Sequence, residues 1–393
     1  MTETTLAAPE APAKPHAAKY TRNLPYLSRV LTNDRLTGPE SEKETIHIEL
    51  ELEDGMTYTP GDAVGIVPTN RESQVAEVLA ALGYTGDERV LDRTVEISLH
   101  EALTSRLGIS KLARGSVNQY AKLCGENVPA GLKKLLGTEN KALAEEYVWG
   151  REFVDLIQDF PGFIQNPQEL FNILQRLTPR MYSIASSLAA HPNQVHTTVR
   201  VIRYNAHGAE RQGVCTGHLG ERAPVGSLMP IFLHENNAFR LPEDPDAPVI
   251  MIGPGTGIAP FRAFLEHRQV LGEKGRMWLF FGEQRRVSDY LYEQQFAQLQ
   301  REGILTKLHT AFSRDQGKKV YVQDRMQENA AELYDWLERG AFFYVCGDAS
   351  RMAKDVENAL LDVIAKGSSG TLEHATEYLA AMKKAKRYQR DVY

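Results

Sequence analysis

The sequence has 393 residues, of which 42% are hydrophobic and 24% are charged, and its formal net charge at pH 7 is −6. A chain of this length exceeds what one hydrophobic core usually organises, so two or three domains are expected. The acidic balance gives no reason to expect nucleic-acid binding. No apolar run is long enough to form a membrane-spanning helix.

Residues 1–19 are rich in Ala, Pro, Thr and Glu and lack the apolar core of a secretory signal. This composition predicts a disordered tail or linker. Cys124, Cys215 and Cys346 lie far apart and form no Cys-x-x-Cys pair, so neither a zinc site nor a disulfide framework is indicated, and no metal is expected. Such cysteine usage fits a reducing cytoplasm.

The chain begins with a strand-rich segment, residues 20–69. Residues 45–52 alternate polar and apolar side chains, which is typical of a strand with one buried face, and residues 63–67 predict a second strand after a turn. Residues 70–177 then have helical character. Helices are predicted at 74–82, where Gly83 ends the helix, and at 99–107, 111–123, 152–157 and 169–177.

Strand character returns over residues 178–243, for example at 195–202, so the helical block interrupts one β region. From residue 244 to residue 393 strands alternate with helices. The strands are predicted near 249–252, 277–281, 306–311 and 342–346. This alternation predicts a parallel sheet covered by helices on both faces.

The first segment with recognisable chemistry is RMYSIASS, residues 180–187. Arg180 provides a cation, Tyr182 an aromatic face, and Ser183 opens a row of hydroxyl groups. A flavin dinucleotide needs charge neutralisation at its pyrophosphate and a flat partner for its ring. The segment therefore indicates a site for FAD.

The second segment is the glycine-rich turn at residues 253–257, which directly follows the apolar run 249–252 and precedes a predicted helix. Backbone N–H groups and the positive end of a helix can bind phosphate in this arrangement, with Gly255 and Thr256 beside it. The spacing departs from G-x-G-x-x-G, because Pro260 follows Gly257 closely. A tight structural turn is an equally good interpretation of this segment alone.

The third segment combines cations, hydroxyl groups and an amide where the third strand of the sheet is expected to end. Its members are Ser313, Arg314, Lys319, Tyr321 and Gln323. Arginine, lysine and serine are the usual partners of the dianionic 2′-phosphate that distinguishes NADPH from NADH. A solvated basic surface is the commoner interpretation of such a charge cluster alone. No acidic residue matches the one expected to bind an NADH ribose at this point, which favours NADPH over NADH.

Three further features are ambiguous by themselves. The segment Gly213, Val214, Cys215 and Thr216 opens a predicted helix and suits either a pyrophosphate or an ordinary helix start. Cys346 ends an apolar strand at the carboxyl edge of the sheet, although a buried cysteine is usually only a small hydrophobe. Tyr393 is the last residue of the sequence; it could cover a flavin ring or be frayed.

These motifs occur in a specific order. They are RMYSIASS, MIGPGTGIAPFRAF, WLFFGEQ, SRDQGKKVYVQD, YVCGDASRMAKDVE and KRYQRDVY. From about residue 20 to residue 393 the chain resembles the NADPH- and FAD-binding half of the diflavin reductases of the ferredoxin-NADP reductase superfamily, and among them the flavoprotein alpha subunits of assimilatory NADPH-sulfite reductase.

The resemblance implies a fold and its boundaries. Residues 20–69 and 178–243 would form an antiparallel β-barrel that binds FAD, and residues 70–177 would form a helical connecting domain inserted into it. Residues 244–393 would form a parallel-sheet α/β domain that binds NADP. The expected fold class is therefore a multidomain α+β protein of the ferredoxin-NADP reductase type.

The resemblance also implies residue roles. Tyr182 and Tyr393 would cover the two faces of the flavin ring, and Ser183, Cys346 and Asp391 would surround the nicotinamide during hydride transfer. The other implied FAD contacts are Arg180, Ser183, Thr198, Arg200, Gly213, Val214, Cys215 and Thr216. The other implied NADPH contacts are Gly255, Thr256, Ser313, Arg314, Lys319, Tyr321, Gln323 and Asp355.

Two departures from the family pattern are visible. Cys215 occupies a position where relatives usually have a small alanine or serine. Family members also carry an N-terminal FMN-binding domain of roughly 150 residues, whereas only residues 1–19 precede the FAD region here. FAD and NADPH, but not FMN, are therefore the cofactors expected in this chain.

The resulting hypothesis is a cytoplasmic flavoprotein that passes electrons from NADPH through FAD to a separate acceptor. The expected acceptor is the sulfite reductase haemoprotein, as used in sulfur assimilation and cysteine biosynthesis, or a flavodoxin-like carrier. A general ferredoxin- or flavodoxin-NADP reductase is the alternative. A non-catalytic subunit is a third hypothesis, which the presence of Arg180, Tyr182, Ser183 and Arg314 disfavours.

Overall fold

The computed structural model describes residues 19–273 and 275–393 of the protein. The tail expected at residues 1–19 lies, except for Lys19, outside the described residues. Among the helices of this described part, none combines the length and the apolar character needed to cross a membrane.

The first strands are β1 (Tyr26–Arg35), β2 (Glu44–Glu51) and β3 (Ala63–Ile66). Strands β1 and β2 pair in antiparallel register, which places the apolar residues of β2 in a shared core. The alternation in the sequence predicts one buried face for β2, but Thr45 and His47 on its other face are also only 1% and 7% exposed. The second face is covered because residues of the C-terminal half, including Tyr292, pack against it.

The helical block follows and has its own hydrophobic core. Its helices are α1 (Glu72–Leu82), α2 (Leu99–Ser105), α3 (Arg114–Leu123), α4 (Ala130–Lys133), α5 (Lys141–Val148), α6 (Phe153–Asp159) and α7 (Leu170–Ile173). A hairpin of β4 (Arg89–Asp92) and β5 (Val95–Ser98), which the sequence did not indicate, lies between α1 and α2. The helix predicted at 169–177 is shorter than expected, because the backbone is extended from Leu174 and Arg176 pairs with Leu107.

The barrel is completed by residues that follow the helical block. These elements are β6 (Arg180–Ser183), β7 (Gln194–Val201), β8 (Arg203–Ala206), β9 (Ala209–Gln212), α8 (Val214–Glu221) and β10 (Leu228–His234). Six strands form a sheet in the order β6-β3-β10-β1-β2-β7, and a bridge between Ile184 and Thr197 joins its two ends. The sheet therefore closes into the expected antiparallel barrel.

The C-terminal half is an α/β unit. Its strands are β11 (Val249–Ile252), β12 (Met277–Glu283), β13 (Lys307–Phe312), β14 (Phe342–Gly347) and β15 (Tyr388–Val392). Its helices are α9 (Ala259–Leu271), α10 (Arg286–Asp289), α11 (Glu293–Arg301), α12 (Val322–Glu328), α13 (Ala330–Glu338), α14 (Met352–Gly367) and α15 (Leu372–Lys384). The strands are parallel, in the order β13-β12-β11-β14-β15, and apolar clusters cover both faces of the sheet.

The last strand was not predicted from the sequence. Residues 388–392 pair with β14 in parallel, and Tyr388 stacks on Phe343 with ring centroids 5.9 Å apart. The segment before Tyr393 is therefore an edge strand. The predicted fold class, an antiparallel barrel with a helical insertion followed by a parallel α/β sheet, is confirmed.

Candidate functional site

A cleft of about 880 Å³ lies between the barrel and the carboxyl ends of the parallel strands. Strands β6 and β7 provide one wall, and the turns after β11 to β14 provide the other. Most of the residues singled out in the sequence line this cleft. They are Arg180, Tyr182, Ser183, Thr198, Arg200, Thr216, Gly255, Thr256, Ser313, Arg314, Lys319, Tyr321, Gln323, Asp355 and Tyr393.

Arg180 is an exposed cation at the start of β6. Its guanidinium donates hydrogen bonds to the hydroxyl of Thr178 at 2.5 Å and to the carbonyl of Thr178 at 3.2 Å. Both partners are neutral, so they orient the side chain without compensating its charge. The positive charge at this wall is therefore available to an anion in the cleft.

Tyr182 lies two residues further along β6 and is half-buried. Burial raises the pKa of its phenol well above the ordinary value, and the neighbouring Cys215 thiol adds to the shift. Cys215 itself is in the barrel core, where burial raises its pKa to about 11. The thiol is therefore a neutral support behind the tyrosine and does not line the cleft.

The segment around Cys215 reaches the cleft only at Thr216. The Thr216 hydroxyl accepts a hydrogen bond from the backbone N–H of Ile202 at 3.2 Å. Gly213 and Val214 line a separate small recess beside Arg222. The structure thus brings Thr216 to the cleft and places Gly213, Val214 and Cys215 next to it.

The glycine-rich turn has a conformation that depends on its glycines. Gly255 has φ +59°, in the left-handed region that favours glycine. A Cβ atom on Gly257 would lie 2.1 Å from the carbonyl oxygen of Cys346, so no larger residue fits there. The chain continues through a short 3₁₀ turn into α9, whose N-terminus faces the cleft side of the sheet.

Ser183, Cys346 and Asp391 come together across the domain boundary, as the family resemblance implies. The Ser183 hydroxyl donates to Oδ2 of Asp391 at 2.5 Å, and the Cys346 Sγ lies 3.9 Å from the same oxygen. Cys346 and Asp391 are directly paired residues of β14 and β15. Burial, and next the Asp391 carboxylate, raise the pKa of Cys346 well above its usual value, so it is a thiol that donates to the carboxylate.

Tyr393 is anchored on the opposite side of the cleft from β6. Its hydroxyl lies 2.8 Å from the hydroxyl of Thr256, its backbone N–H donates to Gly347 and its carbonyl accepts from Ala349. A frayed end would show none of these contacts. The residue as a whole is 63% exposed, and it lines the cleft.

The residues predicted to bind the 2′-phosphate lie at the far end of the cleft, after β13. Arg314 forms an ion pair with Glu42, which lies in the loop between β1 and β2 and is also 3.5 Å from Arg285. Hydrogen bonding to Arg314 lowers the pKa of Glu42. Lys319 and Tyr321 are exposed at the same rim. This rim of the cleft is cationic, and the carboxylate of Glu42 is already paired with it.

Several cleft residues were missed by the sequence analysis. Lys43 binds the buried carboxylate of Glu283 at 2.6 Å, and Asp348 accepts hydrogen bonds from the first backbone N–H groups of α14, beside Arg351. An aspartate just before a predicted helix is a capping signal, and this signal could have indicated Asp348 and the neighbouring Arg351. Glu42 and Lys43 carry no such signal, because their loop reaches the cleft only through the tertiary fold.

Comparisons with known proteins agree with this arrangement. The family described as "FAD binding domain" matches residues 18–218, which is more than half of the chain, and "Oxidoreductase NAD-binding domain" matches residues 251–358. The domains for the two cofactor classes expected from the sequence are therefore confirmed.

Similar proteins carry the name "Sulfite reductase [NADPH] flavoprotein alpha-component". The one from Bacillus subtilis (strain 168) is 43% identical over 389 residues, which are 98% of this chain and 64% of that protein. The one from Yersinia pestis bv. Antiqua (strain Antiqua) is 43% identical over 375 residues, 95% of this chain and 61% of that protein. The chain thus spans about three fifths of the length of the curated relatives it matches.

The resemblance inferred from the motifs is confirmed by these matches. The barrel, its helical insertion and the parallel sheet correspond in order to the two matched domain families. The chain belongs to the FAD binding domain family, and it joins this domain to an oxidoreductase NAD-binding domain.

Proposed function

We propose that the protein is an NADPH-dependent FAD flavoprotein reductase that passes electrons to a separate redox acceptor. The observation that carries the proposal is that one cleft joins the Arg180–Tyr182–Ser183 wall of the barrel to the glycine turn and the basic rim of the parallel sheet. Bound FAD would supply the chemistry: it accepts a hydride from NADPH and releases electrons singly.

The barrel side would hold the flavin dinucleotide. Arg180 would neutralise the pyrophosphate, Tyr182 would lie against the ring, and Thr198, Arg200 and Thr216 would line the remaining wall. We propose that Gly213, Val214 and Cys215, which lie next to the cleft, support this wall. The division at residues 69/70, 177/178 and 243/244 between barrel, insertion and nucleotide domain is part of the same proposal.

The sheet side would hold NADPH. The turn at Gly255 and Thr256 would bind its pyrophosphate, Asp355 would contact the nucleotide, and the basic rim would bind the 2′-phosphate. Ser183 would orient the nicotinamide. Asp391 would fix the direction of the Ser183 hydroxyl, and the thiol of Cys346 would contact the Asp391 carboxylate. These residues would thus position the two rings relative to each other.

The acceptor is proposed from the relatives' names, which point to the sulfite reductase haemoprotein and hence to sulfur assimilation and cysteine biosynthesis. A flavodoxin-like carrier and a ferredoxin are the other acceptors we consider. The three buried free thiols are compatible with a reducing compartment such as the cytoplasm. The rates at which NADPH-reduced protein reduces haemoprotein, flavodoxin and ferredoxin would rank the acceptors.

We predict that Arg180→Ala loses FAD. A hydrogen bond to a charged group contributes about 1.5–3 kcal/mol, so the dissociation constant of FAD should rise roughly tenfold to a hundredfold. FAD titration of the flavin-free protein measures this, and Arg29→Ala, an exposed arginine on β1, serves as the control. Equal FAD affinity in the Arg180 variant and the wild type would contradict the role of Arg180.

We predict that Arg314→Ala and Lys319→Ala each raise the KM for NADPH roughly tenfold or more and leave the KM for NADH nearly unchanged. The reason is that only NADPH carries the 2′-phosphate. Steady-state kinetics with both nucleotides measure the effect. Lys318→Ala is the matched control, because Lys318 is adjacent in sequence and does not line the cleft; equal losses for both nucleotides would place these residues elsewhere.

We predict the opposite effect for Glu42→Gln. The carboxylate pairs with Arg314, so it must leave the guanidinium and face the incoming dianion when NADPH binds. Removing this exposed charge should lower the KM for NADPH by roughly two- to fivefold and leave the KM for NADH unchanged. Glu40→Gln, in the same loop, is the control, and an unchanged KM for NADPH in the Glu42 variant refutes the competition.

We predict that Tyr393→Ala improves NADH use more than NADPH use. The nicotinamide must lie flat on the flavin with reacting atoms about 3–3.5 Å apart, so a ring on that face competes with it. Losing an aromatic stack of about 0.5–1.5 kcal/mol should also tighten binding of the oxidised nucleotide roughly two- to tenfold. Tyr393→Phe keeps the ring without the bond to Thr256, and an unchanged NADPH-to-NADH preference in Tyr393→Ala would disprove the lid.

A further inference from the structure

A cluster of two histidines and a glutamate lies on the outer face of the barrel, separate from the residues assigned above. His47 and Glu49 are two residues apart on β2, and His196 on β7 is directly paired with Glu49. The strand period of two therefore places the three side chains on one face. In the described part of the chain they form a group whose ligand atoms all lie within 4.8 Å of one another.

The distances within the cluster are close to those between the ligand atoms of a bound zinc ion. The Nε2 atom of His47 is 3.3 Å from Oε1 of Glu49, and Nδ1 of His196 is 3.8 Å from the same oxygen. Tetrahedral zinc with ligand distances near 2.0–2.2 Å separates neighbouring ligand atoms by about 3.4 Å. The two distances between a histidine nitrogen and the carboxylate oxygen lie on either side of that spacing.

Each potential ligand is oriented by a second contact. Nδ1 of His47 is 2.9 Å from the hydroxyl of Tyr292, Nε2 of His196 is 3.0 Å from Oε1 of Gln194, and Oε2 of Glu49 accepts from Thr32 at 2.7 Å. Outer contacts of this kind fix the tautomer and orientation of metal-binding histidines.

One inner atom of the cluster lacks a hydrogen-bond partner. With Gln194 accepting from Nε2 of His196, its Nδ1 is a lone pair, and this atom is buried without a hydrogen-bond partner. It lies 3.8 Å from Oε1 of Glu49, which is also within hydrogen-bond distance of Nε2 of His47, at 3.3 Å. A buried acceptor that faces a carboxylate oxygen is unfavourable by itself, and a cation between the two would stabilise both.

We propose that His47, Glu49 and His196 form a binding site for one divalent transition-metal ion, of which zinc has the best-matching ligand set. Water from the side of Glu49, whose side chain is 27% exposed, would complete the coordination. The ion would brace β2 against β7 beneath Tyr292, which belongs to the nucleotide domain. Its role is structural.

The test uses the full chain without an affinity tag, treated with a chelator and then titrated with Zn²⁺. We expect one equivalent of bound zinc by elemental analysis. We also expect a rise in Tm of about 3 °C at a hundredfold excess over the Kd. Glu49→Gln and His47→Gln should weaken zinc binding at least about tenfold and abolish the rise in Tm.

Two controls separate the site from surface binding. Glu51→Gln removes a carboxylate from the same face of β2, and His100→Gln breaks an exposed His–Glu pair with a 2.8 Å contact to Glu72. Both should bind zinc like the wild type. The proposal fails if the wild type binds no stoichiometric zinc, or if Glu49→Gln and His47→Gln bind it as tightly as the controls. His196 is avoided because it is fully buried, and circular dichroism melts establish that each variant is folded.

Discussion

The cleft depends on a buried seam of polar contacts between the barrel and the parallel sheet. Arg262 of α9 donates to the carbonyl of Ala185 at 2.6 Å and pairs with Glu266, which accepts from the backbone of Ser187. Arg262 and Glu266 are only 8% and 4% exposed. The ion pair lies within α9, and each of its two members also contacts the barrel, so separating the two halves would leave both buried charges without these partners, which is costly. This seam therefore fixes one relative placement of the two halves. The hydrogen bond from Ser183 to Asp391 has its geometry only in that placement.

The exposure of each arginine and the charge of its partners distinguish structural arginines from those suited to bind a ligand. Arg211 and Arg268 are nearly inaccessible, and each pairs with a carboxylate. Arg180 is exposed and bound by neutral atoms, whereas Arg314 is exposed and bound by the exposed carboxylate of Glu42. A cation whose charge is not compensated internally has a reason to attract an anion. By this criterion Arg180 is suited to attract an anion, whereas an anion at Arg314 would have to displace Glu42.

The parts of the fold that were predictable from sequence are those with a local physical cause. The apolar run at Val249–Ile252 predicts its strand without error, and the amphipathic pattern before Gly83 predicts α1 to within two residues. The strand β15 was missed because its residues are polar and its stability comes from pairing with β14 and from the stack of Tyr388 on Phe343. Glu42 and His47 were missed for the same reason, since Glu42 meets Arg314 and His47 meets Tyr292 across more than 200 residues of sequence.

The cleft and the histidine cluster are connected by a short chain of hydrogen bonds. Thr198, which lines the cleft, contacts the hydroxyl of Tyr292 at 2.7 Å, and the same hydroxyl contacts His47 at 2.9 Å. Tyr292 has φ +58°, a left-handed conformation that a tyrosine adopts only when surrounding contacts hold it. A cation bound by His47 would draw the imidazole proton towards Tyr292 and orient that hydroxyl towards Thr198. In an isolated barrel the outer face of β2 would be exposed to solvent. Here this face would support the wall of the cleft.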